Sequence, residues 1–463
     1  MNALEPIWRA AGMPAEALQH LALNGSEPVL PSSFSVGTAA QASLAAAALA
    51  AAEVGHCRNG LRQTVSVDMR RAALECCGRF SIDGRIPDPW DKLAGLYPCG
   101  PEGAAGWVRL HTNFAHHRDG VLRLLGLPPG PDTPREAVAT ALQQWRAFDF
   151  EDAAARAGLV VAALRSLDEW DHHPQAAAVA QMPLVAIEKI GEADPIAWPA
   201  LPLEAQPLRG LRVLELTRIL AGPVGGRTLA AYGAEVMLVN ALHLPNIEAI
   251  IDTSRGKLSA LADLRDASGR TALHAVLRDA HVFTQGYRPG ALASLGFGPA
   301  EVAAIRPGIV MVSLSAYGEH GPWAGRRGFD SLVQTATGLN DAEAKAAGST
   351  NPRALPMQIL DMATGFLMAF GAQAALLRQQ REGGSWHVRV SLARTALWLR
   401  QLGRMENGFD APKPDFAGLM ETRASGYGEL TAMRHSAGFS HTPAAWARPS
   451  MPPGSHPLAW PAD

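Results

Sequence analysis

The chain has 463 residues, 48% hydrophobic and 18% charged, a balance that buries a sizeable core, suits two or three domains and excludes a disordered protein. Its formal net charge of −2 excludes a general nucleic-acid footprint, while leaving room for local arginine clusters that bind a small anion.

The N-terminus, MNALEPIWRAAG, lacks a signal-peptide layout, and residues 1–33 read as a short helix followed by a Pro/Ser-rich stretch. An Ala-rich helix is expected from Phe34 to about Val54; no apolar run is read as reaching membrane-spanning length, the segment Ala39 to Ala52 included. Gly60 to Leu74 (GLRQTVSVDMRRAAL) resembles Gly383 to Leu397 (GGSWHVRVSLARTAL), aligning Val65 with Val388, Val67 with Val390 and Leu74 with Leu397. The offset of 388 − 65 = 323 residues holds without a gap and sets Thr38 opposite Asp361, so the front of the chain reads as a partial internal repeat that lacks the acid. Cys57, Cys76, Cys77 and Cys99 lack paired zinc spacing, which suits reduced thiols in a cytoplasmic protein.

Gly106 to Leu110 reads as a strand, His117 to Leu125 as an amphipathic helix and Pro134 to Arg156 as a further helix or two, together a small α+β region. Within HTNFAHHRD, His111, His116, His117 and Asp119 straddle a strand-to-helix junction without the HExxH or facial-triad pattern; they read as surface or capping residues, and no metal is expected. Glu192 to Gln206, rich in proline and acid without periodicity, reads as a linker.

From Pro207 strands and helices alternate: Leu211 to Leu216, a helix through Arg227 to Tyr232, then Glu235 to Val239, Lys257 to Leu264, a helix about Ser268 to Arg278, His281 to Thr284, and Ile309 to Leu314. This predicts an α/β fold built on a doubly wound, Rossmann-like parallel sheet. The loop LTRILAGPVGG, Leu216 to Gly226, lies at a strand's carboxyl end and feeds a helix N-terminus, the usual seat of an anionic ligand. A nicotinamide dehydrogenase fits poorly, since GPVGG is not GxGxxG and the second strand ends in Asn240 rather than an acid. Leu355 to Arg378 reads as a buried helix with one acid, Asp361, in its first turn. The helix-start N–H groups and dipole are expected to favour ionised Asp361, and those near Met362 to Thr364 to steady an oxyanion, with Gly365 allowing close approach.

PLRGLRVLELTRILAGPVGGRTLAAYGAEV (207–236), SRGKLSALADLRDASGR (254–270), GYRPGALASLGFG (286–298), SLSAYGEHGPW (313–323), RRGFDSLVQTATGL (326–339) and the Asp361 helix together resemble the class III CoA-transferase family (CaiB/BaiF type), which includes the α-methylacyl-CoA racemases. GWVRL at 106, AGLVVAALRSLDEWDHHPQ (157–175) and PLVAIEKIG (183–191) resemble the family's later portion yet come first here, and GFSHTPAAWARP (438–449) resembles its closing segment. The resemblance therefore implies a rearranged, duplicated order. Residues 1–80 form a partial first copy, 81–191 a small α+β domain, 192–206 a linker, 207–405 a CoA-binding and catalytic domain, and 406–463 a tail returning to the fold.

The resemblance implies CoA transfer between an acyl-CoA and a free carboxylic acid, with Asp361 as nucleophile and an aspartyl anhydride and aspartyl-CoA thioester as intermediates. Arg218, Ala221, Asp263, Leu264, Arg265, Gly286, Tyr287, Arg288, Arg327, Gly328, Phe329 and Asp330 match positions in CoA-contacting segments. Ala241 and Ser294 stand where members carry arginines, and Arg255, Arg288 or Arg327 are candidates to compensate. Family racemases carry a histidine where this chain has Phe329, so transfer is favoured over epimerisation unless Asp330 or a front-region histidine reaches in; a CoA-binding protein without catalysis is a further alternative. CoA is expected as substrate and no cofactor as a permanent resident. Neither nucleic acid nor membrane is an expected partner, and a homodimer, interlocked as is typical of the family, is expected in the cytoplasm.

Overall fold

The computed structural model describes residues 3–101 and 104–461. Its centre is a seven-stranded sheet in the order Lys257–Leu261, Glu235–Asn240, Arg212–Leu216, Val282–Gln285, Val310–Ser315, Ser385–Ser391 and Ala186–Gly191. The first six run parallel and the last pairs antiparallel at the edge. Val213, Leu214, Val236, Met237, Phe283 and Val312 are fully buried, as strands covered on both faces require. The strand order reverses beside Arg212–Leu216, where its neighbours on either side are Glu235–Asn240 and Val282–Gln285, so a crevice opens at the carboxyl ends there.

Two 24-residue helices, Val36–Asn59 and Ile359–Glu382, pack against each other beside this sheet. Their bounds obey the repeat offset at both ends, since 359 − 36 and 382 − 59 both equal 323. Equivalent caps follow them: Asp68 accepts the Arg71 N–H and Ser391 accepts the Arg394 N–H, each starting the helix after its strand. Small side chains let the two long helices approach closely, and Gln373 Nε2 donates to the Ala47 carbonyl 3.0 Å away between them. Ile359–Glu382 does satisfy the length and hydropathy of a membrane span, contrary to the expectation from sequence. Protein buries that whole apolar window, so the hydropathy serves the core.

The helix after the first sheet strand begins at Ala221, within the segment expected to be a loop, and runs to Ala231. Pro223 is tolerated because the first-turn N–H groups have no intrahelical acceptor to lose. Gly226 is required by space: a Cβ there would meet Glu215 Oε2 at 1.9 Å.

Ahead of the sheet, Gly95–Pro98, Trp107–Leu110 and Val161–Ala163 form an antiparallel three-stranded sheet with its own core around Tyr97, Val108, Leu122 and Phe150. The C-terminal segment returns to the large sheet: Trp446 donates to the Arg227 carbonyl, Ser259 N–H to His456, and Trp460 to the Val276 carbonyl. Arg255 is buried among these contacts, 2.6 Å from Asp252 and stacked over Trp446.

Candidate active site

Gly365 governs where Asp361 stands. A Cβ on Gly365 would meet the Ala221 carbonyl oxygen at 2.4 Å, so only glycine lets Ile359–Glu382 cross Ala221–Ala231 this closely. One turn before that crossing, Asp361 faces a cavity of about 610 Å³ together with Arg218, Ile219, Leu220 and Ala221. Ile219 holds φ at 76°, an unfavourable conformation for a β-branched residue, in the turn that carries the chain from strand to helix. The N–H groups of Ala221 and Gly222 reach no acceptor among the described residues, so the positive end of an 11-residue helix opens here.

The cavity gathers many of the residues marked in the sequence. Arg218, Ala221, Gly286, Tyr287, Arg288, Arg327, Gly328 and Phe329 line it with Asp361. Arg218, Arg288 and Arg327 form no ion pair among the described residues, so three unpaired cations line one space with a single acid, Asp361. Arg218 Nη2 donates to the Pro245 carbonyl and its guanidinium lies over Phe114. Asp263, Leu264 and Arg265 do not line the cavity: Asp263 and Arg265 pair with each other on the surface, and Asp263 comes within 3.6 Å of the wall residue His243. Arg255 is committed to Asp252 inside the fold, which removes it as a replacement for the arginines missing at Ala241 and Ser294.

Asp330 also departs from its expected place. It is buried beneath the cavity wall, where its Oδ2 accepts the Asp361 N–H at 2.9 Å and its Oδ1 accepts Gln334 Nε2 at 2.5 Å. The Leu360 N–H is a further donor to this carboxylate, and the Met362 N–H is committed to the Gln358 carbonyl. The Leu360, Asp361 and Met362 N–H groups are thus occupied, and the expected oxyanion site near Met362 to Thr364 is not formed. Asp361 itself is only 8% exposed and receives no side-chain hydrogen bond from the described residues. Burial, then the neighbouring Asp330 charge, raises its pKa well above the ordinary carboxylate range, reversing the expectation of ready ionisation.

HTNFAHHRD is no surface cluster. His111 is buried and stacked on Phe329 with ring centroids 4.0 Å apart, and Phe114, His116 and His117 line the cavity with Val160. Burial first, then His116, Arg327 and Arg218, drive the pKa of His117 down to about 3, leaving a neutral ring. Asp119 alone keeps a capping role, accepting from Arg118 and the Gly130 N–H. Arg326 and the turn His243 to Pro245 complete walls that the sequence reading missed; the histidine-rich junction was the one signal that pointed toward this side. Among the described residues no group of three His, Cys, Asp or Glu is arranged to hold a metal ion.

Residues 208–430 match the CoA-transferase family III model. Over these residues the chain is similar to that family. Among similar proteins, an acyl-CoA transferase of Gibberella moniliformis is 30% identical across 65% of this chain and 55% of its own length. A mouse succinyl-CoA:glutarate CoA-transferase is 32% identical across 38% of this chain and 43% of its own. The crystal structure of the Mycobacterium tuberculosis protein Rv3272 is 32% identical, covering 43% of this chain and 56% of that one with a TM-score of 0.41. The chain spans about half the length of the curated relatives it matches. The matched region contains the parallel strands through Ser385–Ser391 and the Asp361 helix; the front wall of the cavity lies outside it.

Proposed function

We propose that the chain moves CoA from an acyl-CoA thioester to a free carboxylic acid, with Asp361 as the nucleophile. The observation that carries this reading is a buried carboxylate without a hydrogen-bond donor, facing a cavity with three unpaired arginines at the carboxyl ends of the parallel strands. Such a site is apolar enough to keep water from an activated acyl group and cationic enough to hold a nucleotide's phosphates.

In the proposed cycle, Asp361 Oδ attacks the thioester carbonyl, the C–S bond breaks, and CoA leaves as thiolate while a mixed anhydride forms. The thiolate then attacks the Asp361 carbonyl of the anhydride, giving an aspartyl-CoA thioester and releasing the first acid. An acceptor carboxylate attacks that thioester to form a second anhydride and thiolate. Attack of the thiolate on the acceptor's acyl carbon yields the new acyl-CoA and restores Asp361. Arg218, Arg288 and Arg327 are the groups we assign to the CoA phosphates, with Gly286, Tyr287, Gly328 and Phe329 flanking the ligand and Asp263 to Arg265 outside its contact. The free N–H groups of Ala221 and Gly222 take the oxyanion role from the occupied donors of the Asp361 helix.

Epimerisation is disfavoured by the same walls. Phe329 carries no transferable proton, and a histidine with its pKa lowered to about 3 is a poor base for a carbon acid. A Rossmann-like, doubly wound sheet, the five-part organisation inferred from sequence, a cytoplasmic homodimer and the lack of a resident cofactor belong to this same reading. Asp361→Asn tests it: CoA transfer from succinyl-CoA to a panel of free acids should fall by about a thousandfold or more, with succinyl-CoA binding retained. Transfer at the wild-type rate in that variant would end the proposal.

A further inference from the structure

The hydrogen bonds beneath the cavity assign charge to one member of the carboxylate pair. Gln334 Oε1 accepts from Asn340 Nδ2 at 3.1 Å and from the Leu355 N–H at 3.0 Å, which fixes its amide so that Nε2 points at Asp330. Asn340 is itself held, through its Oδ1 to Thr335 Oγ1 at 2.7 Å and its Nδ2 to the Arg353 carbonyl at 3.1 Å. Asp330 therefore meets donors only: Gln334 Nε2 on one oxygen, and the Asp361 and Leu360 N–H groups. Burial raises the pKa of Asp330 to about 6, and these donors hold it below that of Asp361, so Asp330 is the first of the pair to ionise. No described side chain or backbone group donates to Asp361, which has the cavity in front of it and the Asp330 charge behind.

The other charged and titratable groups that face the pair lie on several elements. Arg109, from the strand Trp107–Leu110, is buried, stacks over Trp90 with Nε unpartnered, and supports the Asp330 charge. His111, 3.5 Å from Ser331 Oγ, is held neutral, and Arg218, Arg288, Arg326, Arg327, His116 and His117 stand around the cavity. None of these donates to the Asp361 carboxylate.

We propose that Asp330 is a positioning residue of the transfer reaction: it occupies the helix-start donors, holds a standing negative charge behind Asp361, and so makes the nucleophile a strongly basic carboxylate that must lose its proton before it attacks. The inference rests on the reading of Asp361 as nucleophile. A carboxylate softened by several N–H donors is a weak nucleophile, whereas one raised toward the working pH by a fixed like charge combines availability with basicity. The proton leaves to solvent through the cavity, and the thioester then meets the free carboxylate.

Carbodiimide labelling of the full chain tests this without any substrate, because carbodiimides add to protonated carboxylic acids. Labelled with dicyclohexylcarbodiimide across a pH series and mapped by mass spectrometry, the wild type should carry the adduct on Asp361, fading at a pH above the ordinary carboxylate range. Any Asp330 adduct should fade at a lower pH than the Asp361 adduct. In Asp330→Asn the Asp361 adduct should fade at least about one pH unit lower, a displacement that loss of packing alone does not produce. Asp330 adducts in the wild type that persist to a higher pH than those of Asp361, or Asp361 adducts that fade in the ordinary carboxylate range, would overturn the proposal even if the variant fails to fold. So would equal fading in the two proteins. Because labelling involves no thioester, these outcomes are independent of the Asp361→Asn transfer test.

Discussion

Lys257→Met probes the floor on which the first ligand-facing loop rests. Lys257 and Glu215 are both fully buried; Nζ lies 2.8 and 3.0 Å from the two Glu215 oxygens and 2.8 Å from the Pro223 carbonyl in the first turn of Ala221–Ala231. The variant removes all three contacts and leaves Glu215 with Thr217 Oγ1 as its remaining side-chain donor. Breaking a buried pair this way costs about 3–5 kcal/mol at neutral pH, because one charge stays behind without a partner. Burial already raises the pKa of Glu215 despite Lys257, and without the lysine the rise is greater. A carboxyl whose folded pKa is raised contributes most below its unfolded pKa and loses that contribution as pH rises, so the deficit should shrink near about pH 5 and widen near about pH 8. Urea unfolding followed by tryptophan fluorescence at both pH values supplies the measurement. Glu215→Leu combined with Lys257→Met should recover most of the loss. A deficit below about 1 kcal/mol, or one indifferent to pH, would refute the reasoning.

Arg288→Ala and Arg327→Ala, assayed for transfer from succinyl-CoA, should each raise KM about tenfold with little change in kcat, and the difference should narrow at high salt. Gly365→Val places side-chain carbon where the Ala221 carbonyl lies; it should lower stability by roughly 1–3 kcal/mol in thermal unfolding and abolish transfer even in the folded fraction, because the helix crossing sets the Asp361 position. The wild-type transfer rate should rise with pH through the raised pKa of Asp361, with its acid limb above the ordinary carboxylate range; an acid limb in that ordinary range would contradict the burial argument. His117→Ala, with the acceptor acid varied at saturating succinyl-CoA, should change relative kcat/KM among acceptors, since this front wall lies outside the region matched by the family.

The sheet was legible because each buried strand announces itself as a compact apolar run, and LRVLEL, EVMLV and HVFT sit within a residue or two of the strands Arg212–Leu216, Glu235–Asn240 and Val282–Gln285. The equal spacing of the two long helices and their following caps was legible too, since the aligned strands VSV and VRV stand at the same offset of 323 residues. Glycine and proline obscured the start of Ala221–Ala231: their poor helix propensity says loop, but tight packing on Glu215 and Asp361's helix overrides it. The Asp361 helix start was misjudged for a different reason. Local sequence shows four free N–H groups beside an acid, whereas the competing acceptor, Asp330, comes from 31 residues earlier. His111 and His117 were misplaced likewise, because a polar run looks solvated until a second element covers it, and Phe329 covers His111.

The most direct measurement is interception of the proposed acyl-enzyme. Incubated with succinyl-CoA and hydroxylamine, then digested and mapped by mass spectrometry, the protein should carry a hydroxamate on Asp361 in step with release of CoA thiol. CoA release above the enzyme-free rate with no Asp361 hydroxamate at any hydroxylamine concentration, or a hydroxamate on another carboxylate instead, would contradict the account.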